Sequence, residues 1–386
     1  MMRQAAGMLM QPHFFYGTLC HPPLLEAVIG RVPQLVPARL EGFAPHEACR
    51  EGQGLGFPIL IETPGAVTRG VVADLTEAEA ERIAWYEDGY DAEIRELETG
   101  AGSRDAKLWL PQADRWEVGA AWTLGDWAPK WAALKTEAAR LFIAEAQAVG
   151  PDAANARYHA ILVRAASILR ARATPMAQDL RRDLQDGDIK IDAQQTAYAK
   201  FFAVEDYKLK HRLFAGGMSA KLDRAAFVSG DASVVLPYDP VRDRVMLIEQ
   251  IRTGPLARGE PNPWMIEAIA GRVDPGETPE EAALREAGEE AGITIARLIE
   301  APRYYPSPGA KSEFVYSYIG IADLPDEAAQ LGGKADEHED IRAHLVPFER
   351  LMTLVATGEA GNAPLVVLAL WLAGQRAALQ RMAGVA

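Results

Sequence analysis

The sequence predicts an α+β protein with two folded domains and a helical stretch between them. Three observations carry this. At 386 residues the chain exceeds the usual size of a single hydrophobic core. Short apolar runs rich in β-branched and aromatic residues, separated by Gly and Pro turns, recur in both halves with few helices among them. Between the halves lies an Ala-rich tract whose charged and apolar residues repeat at helical spacing. The domains are placed at 12–127 and 196–386, with a helical connector at 128–195. The apolar fraction of 49% and charged fraction of 24% are ordinary for a soluble globular protein. A net charge of −14 argues against a nucleic-acid backbone or an anionic membrane as the main partner. With only Cys20 and Cys49, neither a disulfide framework nor a Cys-rich zinc site is expected. Met1 to Met10 has one Arg and no sustained apolar core, a poor signal peptide, and the longest apolar run, Leu365 to Ala373, is short for a bilayer. A cytoplasmic location is the expectation.

The first domain opens with Phe14 to Leu19, a buried strand running into a Gly turn. Ala38–Phe43, Phe57–Ile61 and Thr68–Ala73 read as further strands. Thr76 to Tyr86 reads as a helix, with Thr76 as N-cap and Glu79 as its capping-box partner. Tyr86-Glu87-Asp88-Gly89-Tyr90 follows, then strands at Lys107–Leu110 and Gly119–Trp122. Six of the eight Trp lie between Trp85 and Trp131, which reads as the core and rim of this domain. In the connector, Trp131–Ala148 and Tyr158–Ala173 are helical, parted by Gly150-Pro151. The second helix carries Arg164, Arg170 and Arg172, expected to dock on acidic surface of a neighbouring domain.

In the second domain, Val204–His211 and Leu222–Val228 read as strands, and Ser233–Tyr238 with Arg244–Gln250 as a hairpin around Asp239-Pro240. Trp264–Ala268 leads into the stretch Gly271 to Ile293. There Thr278 can cap a helix, with Pro279 in its first turn, Glu281 as capping-box partner and Gly292 as the stop. Glu286 and Glu290 sit four apart on one face, and Glu289 borders it. Like charges at this spacing weaken a helix, a penalty that a divalent cation with oxygen ligands would remove. Gly271 and Gly276 flank the preceding turn, where backbone could approach a metal or phosphate closely. The plain alternative is a Glu-rich surface helix with Arg285 paired to Glu281 and Glu289. Strands at Leu298–Tyr305 and Phe314–Ala322 and an amphipathic helix at Leu365–Ala383 complete the domain.

Two resemblances follow. Gly271, Glu277, Arg285, Glu286, Glu289, Glu290, Gly292 and Ile293 fit the Nudix box at every fixed spacing, with Ala287 where that family usually has a larger aliphatic residue. The resemblance implies a Nudix α/β/α sandwich with a mixed sheet. Leu247–Arg252, Pro308 fifteen residues after Ile293, and Asn362–Leu372 resemble the ADP-ribose pyrophosphatases of that superfamily, the bacterial tellurite-resistance type in particular. It implies magnesium-dependent hydrolysis of ADP-ribose, with manganese as a substitute. The metal ligands it implies are Glu286, Glu290, the Ala270 carbonyl and Glu339, with Glu337 deprotonating water in a closing loop hinged at Gly332-Gly333. Gly271, Glu277, Arg285, Glu289 and Gly292 would hold the loop–helix geometry, with Glu289 also assisting the metal through water. Arg252 would contact substrate, with Arg272 and Ser307 as weaker candidates. The subfamily's exchange of N-terminal strands implies a homodimer through this domain.

Tyr16-Gly17-Thr18-Leu19 followed by the Tyr86–Tyr90 motif resembles the γ-glutamylcyclotransferase-like (AIG2-like) family over roughly 12–127. That implies a small β-barrel in which the backbone of Tyr16, Gly17, Thr18 and Leu19 holds a glutamyl carboxylate and Glu87 is the general base. Three other readings stay open: cleavage of another nucleoside diphosphate sugar, glutamyl cyclisation as the main activity, and ADP-ribose binding without turnover.

Overall fold

Pairing of two long strands with each other closes the first sheet on itself. The computed structural model describes residues 10–174, 176–334 and 339–385, in two units, 1–176 and 177–386. The expected base Glu337, with His338, lies outside the described residues. The first unit runs β1 (Gln11–Phe15), a 3-10 turn (Thr18–Cys20), α1 (Pro22–Ile29), β2 (Val36–Arg50), β3 (Gln53–Leu75), α2 (Glu77–Tyr86), β4 (Tyr90–Thr99), β5 (Gly102–Pro111) and β6 (Glu117–Ala121). Three helices follow: α3 (Leu124–Val149), α4 (Pro151–Asn155) and α5 (Tyr158–Ala173). The strand order β3-β1-β5-β4-β2, with β2 paired back to β3, is a closed five-stranded barrel to which β6 adds along β2. The runs Ala38–Phe43, Phe57–Ile61 and Thr68–Ala73 are pieces of β2 and β3. Register shifts at Glu41/Phe43 and Glu47/Cys49 bend β2, so its alternation is broken in sequence although the strand is continuous.

The helices from α3 to α5 differ from the expected connector. Trp127, Leu134, Phe142, Ile161 and Ala165 share one core with Leu24 and Leu25 of α1 and Ile83 of α2, so this tract is part of the first unit. Within that unit Arg172 pairs with Glu137 of α3, through Nη1 and Nη2 at 2.8 and 3.2 Å. The α2 capping box forms as expected from Thr76 and Glu79, and Glu79 also pairs with Arg31. Those hydrogen bonds hold the Glu79 carboxyl down at about 2. Cys20 and Cys49 are both free.

The second unit begins with an antiparallel three-stranded sheet, β7 (Ile189–Ala199), β8 (Ala203–His211) and β9 (Leu222–Val228). β7 falls within the expected connector. Its side chains are almost all exposed, although Ile189-Lys190-Ile191-Asp192-Ala193-Gln194 alternates apolar and polar residues as a strand does. The mixed sheet then forms from β10 (Ala232–Asp239), β11 (Arg244–Ile251), β12 (Trp264–Glu267), β13 (Ile269–Arg272), β14 (Arg297–Glu300), β15 (Val315–Ile321), β16 (Leu331–Gly332) and β17 (Ile341–Pro347). Its helices are α6 (Thr253–Arg258), α7 (Pro279–Ala291), α8 (Phe348–Thr357) and α9 (Ala363–Met382). The sheet order is β14-β15-β10-β11-β17-β16, with β10 and β15 parallel.

Alternation along the central strands builds the sandwich. Val234, Leu236, Tyr238, Val245 and Leu247 face α8 and α9, meeting Leu351, Leu354, Leu365, Leu368 and Leu372. Val235, Met246 and Ile248 face the other way, onto Ala283, Ala287 and Ala291 of α7. A face of alanines lets α7 lie close to the sheet, which brings its carboxylates to the strand ends. α9 is long and apolar enough to cross a membrane by length and composition, yet its leucines form this core.

α7 starts at Thr278 with both capping-box bonds present, Glu281 N–H to Thr278 Oγ1 at 3.1 Å and Thr278 N–H to Glu281 Oε2 at 2.8 Å. It stops at Gly292, whose φ of +64° suits glycine. Thr278→Ala is expected to cost about 1 kcal/mol. A lower urea midpoint for the second unit, at unchanged slope, is the measurement that checks it.

Candidate functional site

In the second unit, Arg285 ties the turn before α7 to the helix itself. Its Nε and Nη2 donate to the two oxygens of Glu277 at 2.8 and 3.0 Å, a bidentate pair. Nη2 also donates to the Arg272 carbonyl at 3.0 Å, and Nη1 reaches Glu286 at 2.6 Å and Glu289 at 2.9 Å. Glu277 in turn accepts the Asp274 N–H at 3.0 Å. The surface-helix pairing of Arg285 with Glu281 is therefore replaced, because Glu281 is engaged in the cap. Gly271 is where a side chain could not fit: a Cβ there would lie 1.7 Å from Glu286 Oε1.

Glu286 and Glu290 lie near enough to Glu339 to feel its charge. Glu290 is 2% exposed and accepts the Ala270 N–H at 3.1 Å. Burial pushes its carboxyl up to about 8, with the negative charges of Glu286 and Glu339 adding to the effect. Glu286 is raised by burial as well, against the pull of Arg285, and Glu289 and Glu339 raise it further. Gly333 and Lys334 lie on the end of α7. Gly333 N–H donates to the Glu289 carbonyl at 3.3 Å, Lys334 Nζ approaches Glu289 at 3.2 Å, and Lys334 N–H donates to Glu339 Oε2 at 3.3 Å. Gly333 has a φ of +97°, and a Cβ on Gly332 would meet the Glu290 carbonyl at 2.0 Å.

Among the described residues, no three His, Cys, Asp or Glu side chains converge on one point. Glu286 is drawn to Arg285, Glu290 to the Ala270 amide and Glu339 to the Lys334 amide. The donor set nonetheless suits a hard divalent cation. It includes the desolvated carboxyls of Glu286 and Glu290, both raised by burial and by neighbouring negative charge, a penalty that cation charge would relieve.

Arg252 donates Nε to Glu267 Oε2 at 2.7 Å, and the other oxygen of Glu267 accepts from Asn362 Nδ2 at 2.7 Å. Asn362 also caps α9 through the Leu365 N–H at 3.2 Å. Glu267 is 6% exposed, and burial raises its carboxyl despite these partners. Sequence reasoning missed Glu267 and Asn362. The signal available was a lone acid inside the apolar strand Trp264-Met265-Ile266-Glu267. Arg272 stacks on Phe201 and Phe202, 4.3 and 5.4 Å from the ring centroids. Ser307 is exposed in a turn where its carbonyl accepts the Ala310 and Lys311 amides at 3.0 and 2.8 Å.

The first unit holds a cavity of about 210 Å³. Its wall includes all four residues Tyr16 to Leu19 of the turn, Glu87, Tyr90 and Trp116, and, from the helices after the barrel, Lys135, Phe142 and Tyr158. Tyr16 donates its hydroxyl to the Trp109 carbonyl at 3.0 Å. A Cβ on Gly17 would meet Pro58 at 2.7 Å, so the turn lies against that strand. Glu87 sits just after α2, surrounded by protein, and burial alone pushes its carboxyl up to about 8.

A strand–turn–helix carrying a row of glutamates, set at the end of a mixed sheet between helical layers, defines the second unit as a Nudix domain. Residues 229–368 match the NUDIX domain family, and residues 13–129 match "Gamma-glutamyl cyclotransferase, AIG2-like". The ADP-ribose pyrophosphatase of Escherichia coli (strain K12) is 42% identical over 185 residues, 48% of this chain and 88% of that protein. That of Haemophilus influenzae is 39% identical over 196 residues, 50% of this chain and 90% of that protein. A GDP-mannose pyrophosphatase of an Enterobacter species is 31% identical over 149 residues, 39% of this chain and 76% of that protein. The chain belongs to the ADP-ribose pyrophosphatase family of Nudix hydrolases, and it carries a cyclotransferase-like domain ahead of the Nudix domain.

Glu87 supplies a pH test of the first site. Its folded pKa of about 8 lies above the ordinary 4.5. Between those values the folded chain binds more protons than the unfolded one, so Glu87 costs more stability as pH rises through that window. Glu87→Gln is expected to raise the thermal midpoint of the first unit at about pH 9 and to leave it near the parent's at about pH 4.5. Trp fluorescence followed on heating at the two pH values checks the sign.

Proposed function

We propose that the second unit hydrolyses ADP-ribose to AMP and ribose 5-phosphate with magnesium, manganese serving as a substitute. One observation carries it: Glu286 and Glu290, one helical turn apart and largely desolvated, are set against the Gly271 turn by the Arg285 network. The identity to ADP-ribose pyrophosphatases, 42% against 31% for the GDP-mannose enzyme, favours ADP-ribose over other nucleoside diphosphate sugars.

Glu286, Glu290 and Glu339, with the Ala270 carbonyl, would hold the divalent ions. When bound, such ions neutralise the diphosphate and lower the pKa of a coordinated water. The protein's own residues do the rest. Arg285 and Glu277 fix the turn so that Gly271 can lie against Glu286. Glu289 holds Gly333 and Lys334 on α7, and the Lys334 amide positions Glu339; Glu337, outside the described residues, is assigned as the base by the resemblance. Arg252, its guanidinium oriented by Glu267, donates to phosphate oxygens. Arg272 and Ser307 are assigned to substrate as secondary contacts. The exposed Phe201 and Phe214, 70% and 94% accessible, support pairing of two copies through the β7–β9 sheet. The two free cysteines support a cytoplasmic location.

Glu290→Gln is expected to lower ADP-ribose turnover by at least about 100-fold in a chain that remains folded, and a chelator is expected to do the same to the parent. Release of AMP at saturating substrate measures both, and unchanged rates would remove this metal site. Glu267→Gln is expected to raise KM for ADP-ribose by about tenfold with kcat within about threefold, since it disturbs how Arg252 is presented. Steady-state kinetics separates the two constants.

A second reading concerns the first unit, where a carboxyl with its pKa raised to about 8 beside the Tyr16–Leu19 turn favours γ-glutamyl cyclisation. Incubation with γ-glutamyl amines and assay for 5-oxoproline tests it, and Glu87→Gln should abolish release while leaving nucleotide hydrolysis unchanged.

A further inference from the structure

The cavity of the first unit has a wall that the barrel does not supply. The cyclotransferase-like match ends at residue 129, whereas Lys135, Phe142, Asn155 and Tyr158 come from the helices beyond it. Lys135 is 6% exposed and lines the cavity. Its ammonium lies among aromatic rings, 5.9 Å from the centroid of Phe57, 5.7 Å from that of Trp131 and 5.4 Å from that of Tyr158. Among the described residues, no carboxylate pairs with it. The cavity's other cation, Arg115, is taken up by Asp88 at 2.8 Å. Burial without a partner pulls the Lys135 ammonium down to about 8.

A buried ammonium held only by ring faces costs stability, because charge removed from water needs a counter-charge or hydrogen bonds. Glu87 shares the same cavity and is not paired with Lys135; nothing but burial perturbs either group. An acid and an ammonium that line one chamber without neutralising each other complement a ligand bearing the opposite charges at matching ends. The chamber, about 210 Å³, has room for on the order of ten waters, and hence for a dipeptide-sized ligand. The aromatic walls would cover its carbon skeleton.

We propose that Lys135 is a ligand-binding residue of this cavity, taking the carboxylate of a small amino-acid derivative whose amine faces Glu87. The helices after the barrel are then an integral wall of the site. The inference concerns binding and stands apart from nucleotide hydrolysis in the second unit and from turnover in the first.

The test uses the full chain and γ-glutamylglycine as probe, titrated by calorimetry near neutral pH. The parent binds, and Lys135→Met weakens binding about ten- to a hundredfold, the loss of one charge-assisted hydrogen bond. Trp fluorescence reports that the first unit stays folded, with a thermal midpoint equal to or above the parent's, as expected when a lone buried charge is removed. A second measurement needs no variant: the same probe with both carboxylates converted to amides fails to bind the parent. Absence of binding by the parent, equal affinity of the Met variant, or equal affinity of the diamide would each overturn the assignment. Assay of the same mixtures for 5-oxoproline separates the readings, because binding without release supports the site and removes only the cyclotransferase activity.

Discussion

The second unit depends on one guanidinium. Arg285 spends its donors on Glu277, Glu286, Glu289 and the Arg272 carbonyl, and so joins a turn, a strand end and a helix that would otherwise repel one another. The glutamates on that helix face crowd negative charge onto little more than one turn. Neutralising part of it with a fixed planar cation leaves Glu290, which Arg285 does not touch, as the group most burdened by burial. The division assigns work within the row. Glu277, Glu286 and Glu289 are held in place by Arg285, whereas Glu290, bonded to the Ala270 amide and raised by burial, is a carboxyl whose negative form an incoming cation would stabilise. A lysine at 285 would supply a point charge without the fork that grips both oxygens of Glu277.

Everything upstream in the fold serves that geometry. The small face of α7, Ala283, Ala287 and Ala291, lets the helix approach β10 and β11 closely. Gly271 then passes beneath Glu286, and Gly332 beneath the last turn, at separations no side chain would tolerate. The alanine at 287, where the resembled family usually has a larger aliphatic residue, is wholly buried in this cluster.

What the sequence disclosed tracks how local the determinants are. The α7 boundaries were legible because a capping box, a proline in the first turn and a terminal glycine are all set within the helix itself. The capping box of α2 is local in the same way. The long barrel strands were visible only in fragments, since their bulges shift which residues face inward. β7 went unread although Ile189–Gln194 alternates, because the pattern stops at Gln194-Gln195-Thr196, and the strand is exposed along almost its whole length. The glutamate row was legible for its spacing. The chain Arg252–Glu267–Asn362 was not, because partners 95 residues apart meet only through the sheet and the start of α9. Lys135 was hidden for the same reason. In sequence it is one more charge on an Ala-rich helix, and only the packing of that helix against the barrel makes it interior.

The two sites use burial of an acid in different ways. In the Nudix domain the desolvated carboxylates are adjacent: Glu289 and Glu339 raise Glu286, and Glu286 and Glu339 raise Glu290, a setting that favours cations of high charge. In the barrel cavity Asp88 is paired with Arg115, while the neighbouring Glu87 is raised by burial alone. Such a group favours taking up one proton, or facing one amine, over binding a divalent ion. One raised carboxyl in the first unit and crowded carboxyls in the second thus give the same side chain two unlike electrostatic settings. Both arise from where the surrounding helices place low-dielectric walls, which is why neither could be assigned from residue type alone.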